Sequence, residues 1–199
     1  MKRAITIMTM ALCLAGGGAQ AQRCLPRMHG IQVTGGMVDG KTGGKAGEAG
    51  GLLDGYDFYG GLALTRYARN CDKWSFGAEY LQRGYRYDTG MIPLAQLTAE
   101  TGYLKCLLSD NGKNLFLSAG PSAMIGYESS NWGEKLLPDG ATLRCADGFI
   151  YGLAATLEGE AYLSDRLVLL VQLRERCLWG TTSPRLHTQV GIGIRLMID

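Results

Sequence analysis

Few side chains in this chain are of the types that carry acid–base or nucleophilic chemistry, and they are not grouped as catalysis needs. The only two histidines are His29 and His187. Ser183 and Glu175 lie near His187 in sequence, which are the ingredients of a nucleophile–base–carboxylate set of the kind that lipid hydrolases use. No recognisable nucleophile context surrounds Ser183, so a solvated or hydrogen-bonded His187 is the expectation and no catalytic residue is assigned. The Gly-rich stretch Lys41 to Gly51 (KTGGKAGEAGG) lacks the GK[ST] ending and the following helical pattern of a phosphate-binding loop, and reads as a surface loop. No CxxC pair and no Cys/His cluster has metal-ligand spacing, so neither a metal nor a cofactor is expected.

A second set of charged residues is more orderly. Glu79, Glu100, Glu158 and Glu160, with Arg83, Arg174, Arg176 and Arg195, each fall on the polar side of an alternating stretch. The two signs balance. Side chains placed in that way could pair inside a narrow polar interior, and the elements that carry them decide whether they do.

Those elements follow an export signal. Lys2 and Arg3 precede an apolar run from Ala4 to about Ala15, then a glycine triplet and Ala19-Gln20-Ala21, with small residues where a signal peptidase needs them. Residues 1–21 are read as a signal peptide and 22–199 as one β-barrel domain. The run is too short to span a bilayer as a helix, and no other segment approaches the ~18 apolar residues required. Lys2 and Arg3 account for the formal charge of +2, so the mature chain is neutral and offers no basic face to nucleic acid.

The rest is alternation. Eight stretches of period two follow, about Gly30–Gly40, Tyr56–Tyr67, Trp74–Tyr87, Leu94–Leu108, Leu115–Tyr127, Phe149–Leu163, Leu167–Cys177 and Leu186–Ile198. The connections after the second, fourth and sixth are short, and SDNGKN carries an Asn-Gly hairpin signal. Those after the first, fifth and seventh are long, and DTGMIP after the third is intermediate. This sorting predicts an up-and-down eight-stranded antiparallel β-barrel of outer-membrane type, with short periplasmic turns and long outer loops.

Alternation alone does not say which face is inside, and a lipocalin-like soluble barrel would put the apolar face there. The polar faces hold Gly, Ser, Thr, Gln, Glu and Arg with almost no Lys, which suits a narrow lumen better than a solvated surface. A midplane Arg facing lipid costs ~2–4 kcal/mol, so in a membrane the eight charges must face inward. Glu158 and Glu160 are expected to meet Arg174 and Arg176 across adjacent strands. Tyr56, Phe58, Tyr85, Tyr87, Tyr127, Phe149, Tyr151 and Trp179 fall near the outer strand ends. Tyr67, Trp74, Phe76, Tyr103, Phe116 and Tyr162 fall near the inner ends, as two interfacial belts would require. A barrel of this size is filled by its own side chains, so a wide pore is not expected.

Of the six cysteines, Cys13 leaves with the signal. Cys24, Cys71 and Cys106 sort to the periplasmic end and Cys145 and Cys177 to the outer end. A disulfide needs Cα atoms within about 7 Å, so Cys145–Cys177 is the expected bridge. At least one of the other three is left over, and the alternative is that all five are reduced.

Several of these segments resemble a known family. QRCLPRMHGIQVTGGMVDG, KWSFGAEYLQRGYRY, IPLAQLTAETGY and DGFIYGLAATLEGEAYLSDRLVLLVQLRERCLWG are similar to the TraO proteins of Bacteroidetes conjugative transposons. The resemblance implies membership in the conjugation machinery of the cell envelope; joined to the barrel and charge readings, the expectation is a non-catalytic outer-membrane component acting through contacts with other envelope proteins and with lipid, not with DNA. The alternatives are a stand-alone OmpA-like or OmpW-like barrel, an outer-membrane lipid hydrolase, and, for location, the periplasm.

Overall fold

The eight alternating stretches close on themselves. The computed structural model describes residues 26–38, 57–87, 90–133, 147–181 and 185–198; the expected signal segment 1–21, Cys24, the Gly-rich loop, Tyr56 and Cys145 lie outside them. The strands are β1 (His29–Val38), β2 (Phe58–Tyr67), β3 (Lys73–Tyr87), β4 (Gly90–Ser109), β5 (Leu115–Ser130), β6 (Asp147–Tyr162), β7 (Leu167–Trp179) and β8 (Leu186–Ile198). Each pairs antiparallel with its sequence neighbours, and β1 pairs with β8 to complete a closed barrel. Closure leaves no sheet edge along the wall, the condition for crossing a bilayer with strands.

The two faces separate cleanly. Ile192, Leu62, Leu97, Ile125, Leu153 and Val171 point outward and are exposed. The opposite positions on the same strands carry Gln32, Glu79, Gln96, Thr98, Glu158, Gln172 and Arg195, all buried inside. A soluble barrel would reverse this arrangement, because water stabilises the polar face and not the apolar one. Outward charges lie near the strand ends, as with Arg66 of β2, Lys105 of β4 and Glu175 of β7.

Turn chemistry sets the registers. β4 and β5 are joined by Asp110–Asn114, where the Lys113 amide donates to the Asp110 carbonyl at 2.9 Å. Lys113 takes the left-handed conformation, with φ +51°. The Asn111-Gly112 pair therefore does not form the type I′ turn its sequence signals; it sits inside a turn whose left-handed residue comes after it. A bulge between Cys106 and Leu108 shifts the β4–β5 register. Leu107 and Leu108 are both left exposed there, the local effect of one extra residue in a ladder.

β4 departs most from expectation. It starts at Gly90, level with Tyr87 of β3, so the connection after β3 is as short as the periplasmic turns. Gly90–Pro93 are expected from the sequence in the DTGMIP connection. Pairing with β5 begins only at Leu94, so the missing N–H of Pro93 interrupts no ladder on that side, the setting in which strands tolerate proline.

The aromatic belts hold in part. On the outer side Tyr127, Phe149 and Tyr151 are exposed, and Tyr151 stacks on Trp179 with ring centroids 6.0 Å apart. On the periplasmic side Trp74 lies outward beside Phe76 and Tyr103, at centroid distances of 6.4 and 4.9 Å. The side chains of Tyr85 and Tyr87 are outside those described. Tyr67, Phe116 and Tyr162, however, belong to no belt. They point inward and pack with Val168, Leu170 and Met197 into an apolar plug at the periplasmic end. Their parity places them inside, because Tyr67 shares its face with Thr65, and Phe116 shares its face with Ser118.

Candidate functional site: the charged lumen

Inward-pointing side chains from nearly every strand meet on the barrel axis, and eight of the ionised ones form two quartets. The central quartet joins Glu79 of β3 and Glu100 of β4 to Arg174 and Arg176 of β7. Arg174 Nη1 donates to Glu79 Oε2 at 3.0 Å and to Glu100 Oε2 at 2.9 Å. Arg176 Nη1 donates to Glu79 Oε1 at 2.8 Å, as does Gln189 Nε2 of β8. Arg174 Nε adds a bond to Thr156 Oγ1 at 3.2 Å. Two carboxylates face two guanidiniums, so the cluster is neutral.

The second quartet lies nearer the periplasm and joins Lys73 of β3, Glu158 and Glu160 of β6, and Arg195 of β8. Lys73 Nζ lies 2.5 Å from Glu158 Oε1 and also contacts Glu160. Arg195 Nη2 lies 2.8 Å from Glu158 Oε1, and its Nη1 pairs with Glu160. The polar shell is filled by Gln32, which accepts from Arg195 Nη2 at 2.7 Å, and by Gln172, which donates to Glu158. Tyr67 of the plug accepts from Arg195 Nη1 at 2.7 Å and donates to Glu160. The plug and the quartet are thus one hydrogen-bonded unit.

Arg83 belongs to neither cluster. Its Nη1 donates to His187 Nδ1 at 2.8 Å near the outer mouth, and its Nη2 lies 3.7 Å from Asp57 Oδ2. Elsewhere on the inner wall, Glu128 accepts from Gln96 Nε2 at 2.7 Å and from Thr181 Oγ1 at 2.5 Å.

All eight charges singled out in the sequence face the interior, but their partners differ from those expected. Glu158 and Glu160 do not meet Arg174 and Arg176. The β6–β7 register sets Glu158 opposite Gln172 and Glu160 opposite Leu170, whereas Arg174 and Arg176 face Thr156 and Ala154. The arginines therefore lie at least two residues further toward the outer mouth, about 7 Å along the strand. They reach across the axis to β3 and β4, which the narrow lumen brings within range of a long side chain.

Sequence reasoning also missed Lys73, assigning it to the turn before β3. It is fully buried. Its signal was parity: Lys73 stands two residues before Ser75 on the face that carries Glu79 and Arg83.

Of the three residues that could have made a hydrolytic set, the two described, His187 and Glu175, are not brought together. His187 is buried and inward, level with Arg176, while Glu175 faces outward and accepts from Thr188 Oγ1 at 2.6 Å. Ser183 lies outside the described residues. Cys177 faces outward between Leu153 and Leu186, half-buried, and its expected partner Cys145 is outside the described residues.

Two small cavities, of about 30 and 20 Å³, separate the quartets. Gln32, Glu100 and Arg174 line both. Each has room for one or two waters and neither for a solute. Tyr59 closes part of the remaining space by lying over Gly191, where any Cβ would collide with its phenol.

The fold recurs in solved outer-membrane proteins. The neisserial surface protein NspA superposes with a TM-score of 0.53 at 12% identity, covering 84% of this chain and 96% of NspA. A major outer membrane protein of Thermus thermophilus gives 0.54 at 12% identity, covering 86% and 98%. OprG of Pseudomonas aeruginosa gives 0.52 at 12% identity, covering 90% and 99%. At such identities the likeness speaks for the fold. Together with the apolar exterior it places the chain in the outer membrane. No curated protein matches the sequence. A family model described as "Conjugative transposon protein TraO" matches residues 25–198, nearly the whole chain; with its resemblance segments spread over the same strands, the chain belongs to the TraO family.

Proposed function

We propose that this protein is a non-catalytic outer-membrane component of a conjugative DNA-transfer apparatus, exported by residues 1–21 and acting through contacts with other envelope proteins of that machinery. Family membership carries the transfer role. The contact role is supported by the filled lumen. The charges of both quartets are spent on one another and the plug seals the periplasmic end, which leaves the rims of the barrel, and not its lumen, for a partner. The mature chain is formally neutral, so DNA is not among the expected partners.

The test is isolation of outer membranes from donor cells, mild crosslinking, and co-purification. Recovery of other transfer proteins with the barrel, and loss of transfer when its gene is deleted, supports the reading. A barrel that purifies alone from transfer-competent donors, with undiminished transfer after deletion, would instead be a stand-alone barrel. His187→Ala should leave transfer unchanged; abolished transfer with the barrel intact would point to chemistry at the outer mouth.

A further inference from the structure

Two half-buried free thiols lie against the periplasmic plug. Cys71 lies in the 3-10 turn Arg69–Cys71 between β2 and β3, and Cys106 lies near the end of β4. Both pack against the cluster formed by Tyr67, Phe116 and their neighbours. The β3–β4 ladder ends at Lys73 opposite Leu104, and Cys71 stands two residues before Lys73, in the turn, with φ +62°. The turn is also fastened to β4 at this point. Asp72 accepts from the Cys106 backbone N–H at 2.9 Å and from the Tyr103 hydroxyl at 2.7 Å. The Asp72 bond holds the residue next to Cys71 against the Cys106 backbone, and a disulfide needs Cα atoms within about 7 Å.

We propose that Cys71 and Cys106 form a disulfide in the mature protein, tying the β2–β3 turn to the end of β4 against the plug. The proposal rests on the outer-membrane reading for its compartment, since the periplasmic side of that membrane permits disulfides. Each thiol gives up one proton and one electron and an S–S bond forms. The two electrons and two protons pass to a periplasmic thiol–disulfide oxidant, whose own disulfide becomes a pair of thiols by exchange. Cys24, which lies outside the described residues, is then left without a partner from this pair.

Non-reducing peptide mapping of isolated outer membranes, alkylated in acid before unfolding to stop exchange, decides the linkage. Using that fraction establishes location before linkage is read. Trypsin cuts after Arg69, Lys73, Lys105 and Lys113, so the bridge appears as Asn70–Lys73 joined to Cys106–Lys113, separated by reductant. The joined pair is expected in the natural protein and in Cys24→Ser, and is absent from Cys106→Ser. Alkylated Cys71 and Cys106 in the natural protein, or linkage of either to Cys24, overturns the proposal.

Discussion

The two lumen quartets have the same composition, two carboxylates and two cations, but different surroundings. In the periplasmic quartet the Lys73, Arg195, Glu158 and Glu160 side chains are at most 1% exposed. In the central one Arg174 is 13% and Glu100 15% exposed, with water-sized cavities at their side. The difference comes from what lies beneath. Tyr67, Phe116 and Tyr162 seal the periplasmic quartet from below, and Tyr67 bonds directly to it. The central quartet borders small residues, including Gly61, Gly77 and Ser75, which leave gaps. Equal charge counts therefore do not imply equal energies: a buried charge that loses its partner is costly in proportion to how little water can replace it.

The largest expected effect is at Lys73. Lys73→Met leaves Glu158 and Glu160 with Arg195 as their one remaining cation in the more deeply buried quartet, and should destabilise the refolded barrel by ~3–5 kcal/mol. The midpoint of urea unfolding in lipid vesicles reads it. A loss under ~1 kcal/mol would mean that water reaches this quartet and that the contrast is false.

Arg174→Ala should cost less, ~1–3 kcal/mol, because Arg176 stays on Glu79 and the cavities can hydrate Glu100. A loss as large as that of Lys73→Met would erase the distinction between the clusters.

Double-mutant cycles sharpen the same comparison. Glu160→Gln with Arg195→Gln, within one quartet, should couple by ~0.5–3 kcal/mol, whereas Lys73→Met with Arg174→Ala should add to within ~0.3–0.5 kcal/mol. Strong coupling in the second cycle would show that the quartets act as one network.

The smallest effect belongs to the outer rim. Thr181→Val removes the 2.5 Å bond to Glu128, which keeps Gln96 as a donor. The loss should stay near or below ~1 kcal/mol, with the heat-modified gel shift unchanged.

Strand positions and facing were legible because side chains alternate with period two, and a bilayer requires one apolar face with every backbone group paired. Ile192, Ile194 and Leu196 against Gly191, Gly193 and Arg195 carry that information locally. Parity also placed the eight charges inside. Family membership was legible in long unusual segments such as KWSFGAEYLQRGYRY. What the chain could not disclose residue by residue was who meets whom. Arg174 reaches Glu79 and Glu100 on the far wall, and Lys73 reaches Glu158 and Glu160, because closure brings strands distant in sequence within one side-chain length of the axis. The early start of β4 at Gly90 and the inward turn of Tyr67, Phe116 and Tyr162 depended likewise on where neighbouring strands end and begin. Local pattern determines the face a residue occupies; registry between strands and the closure of the barrel determine its partner, since both are properties of pairs of strands and not of either strand alone.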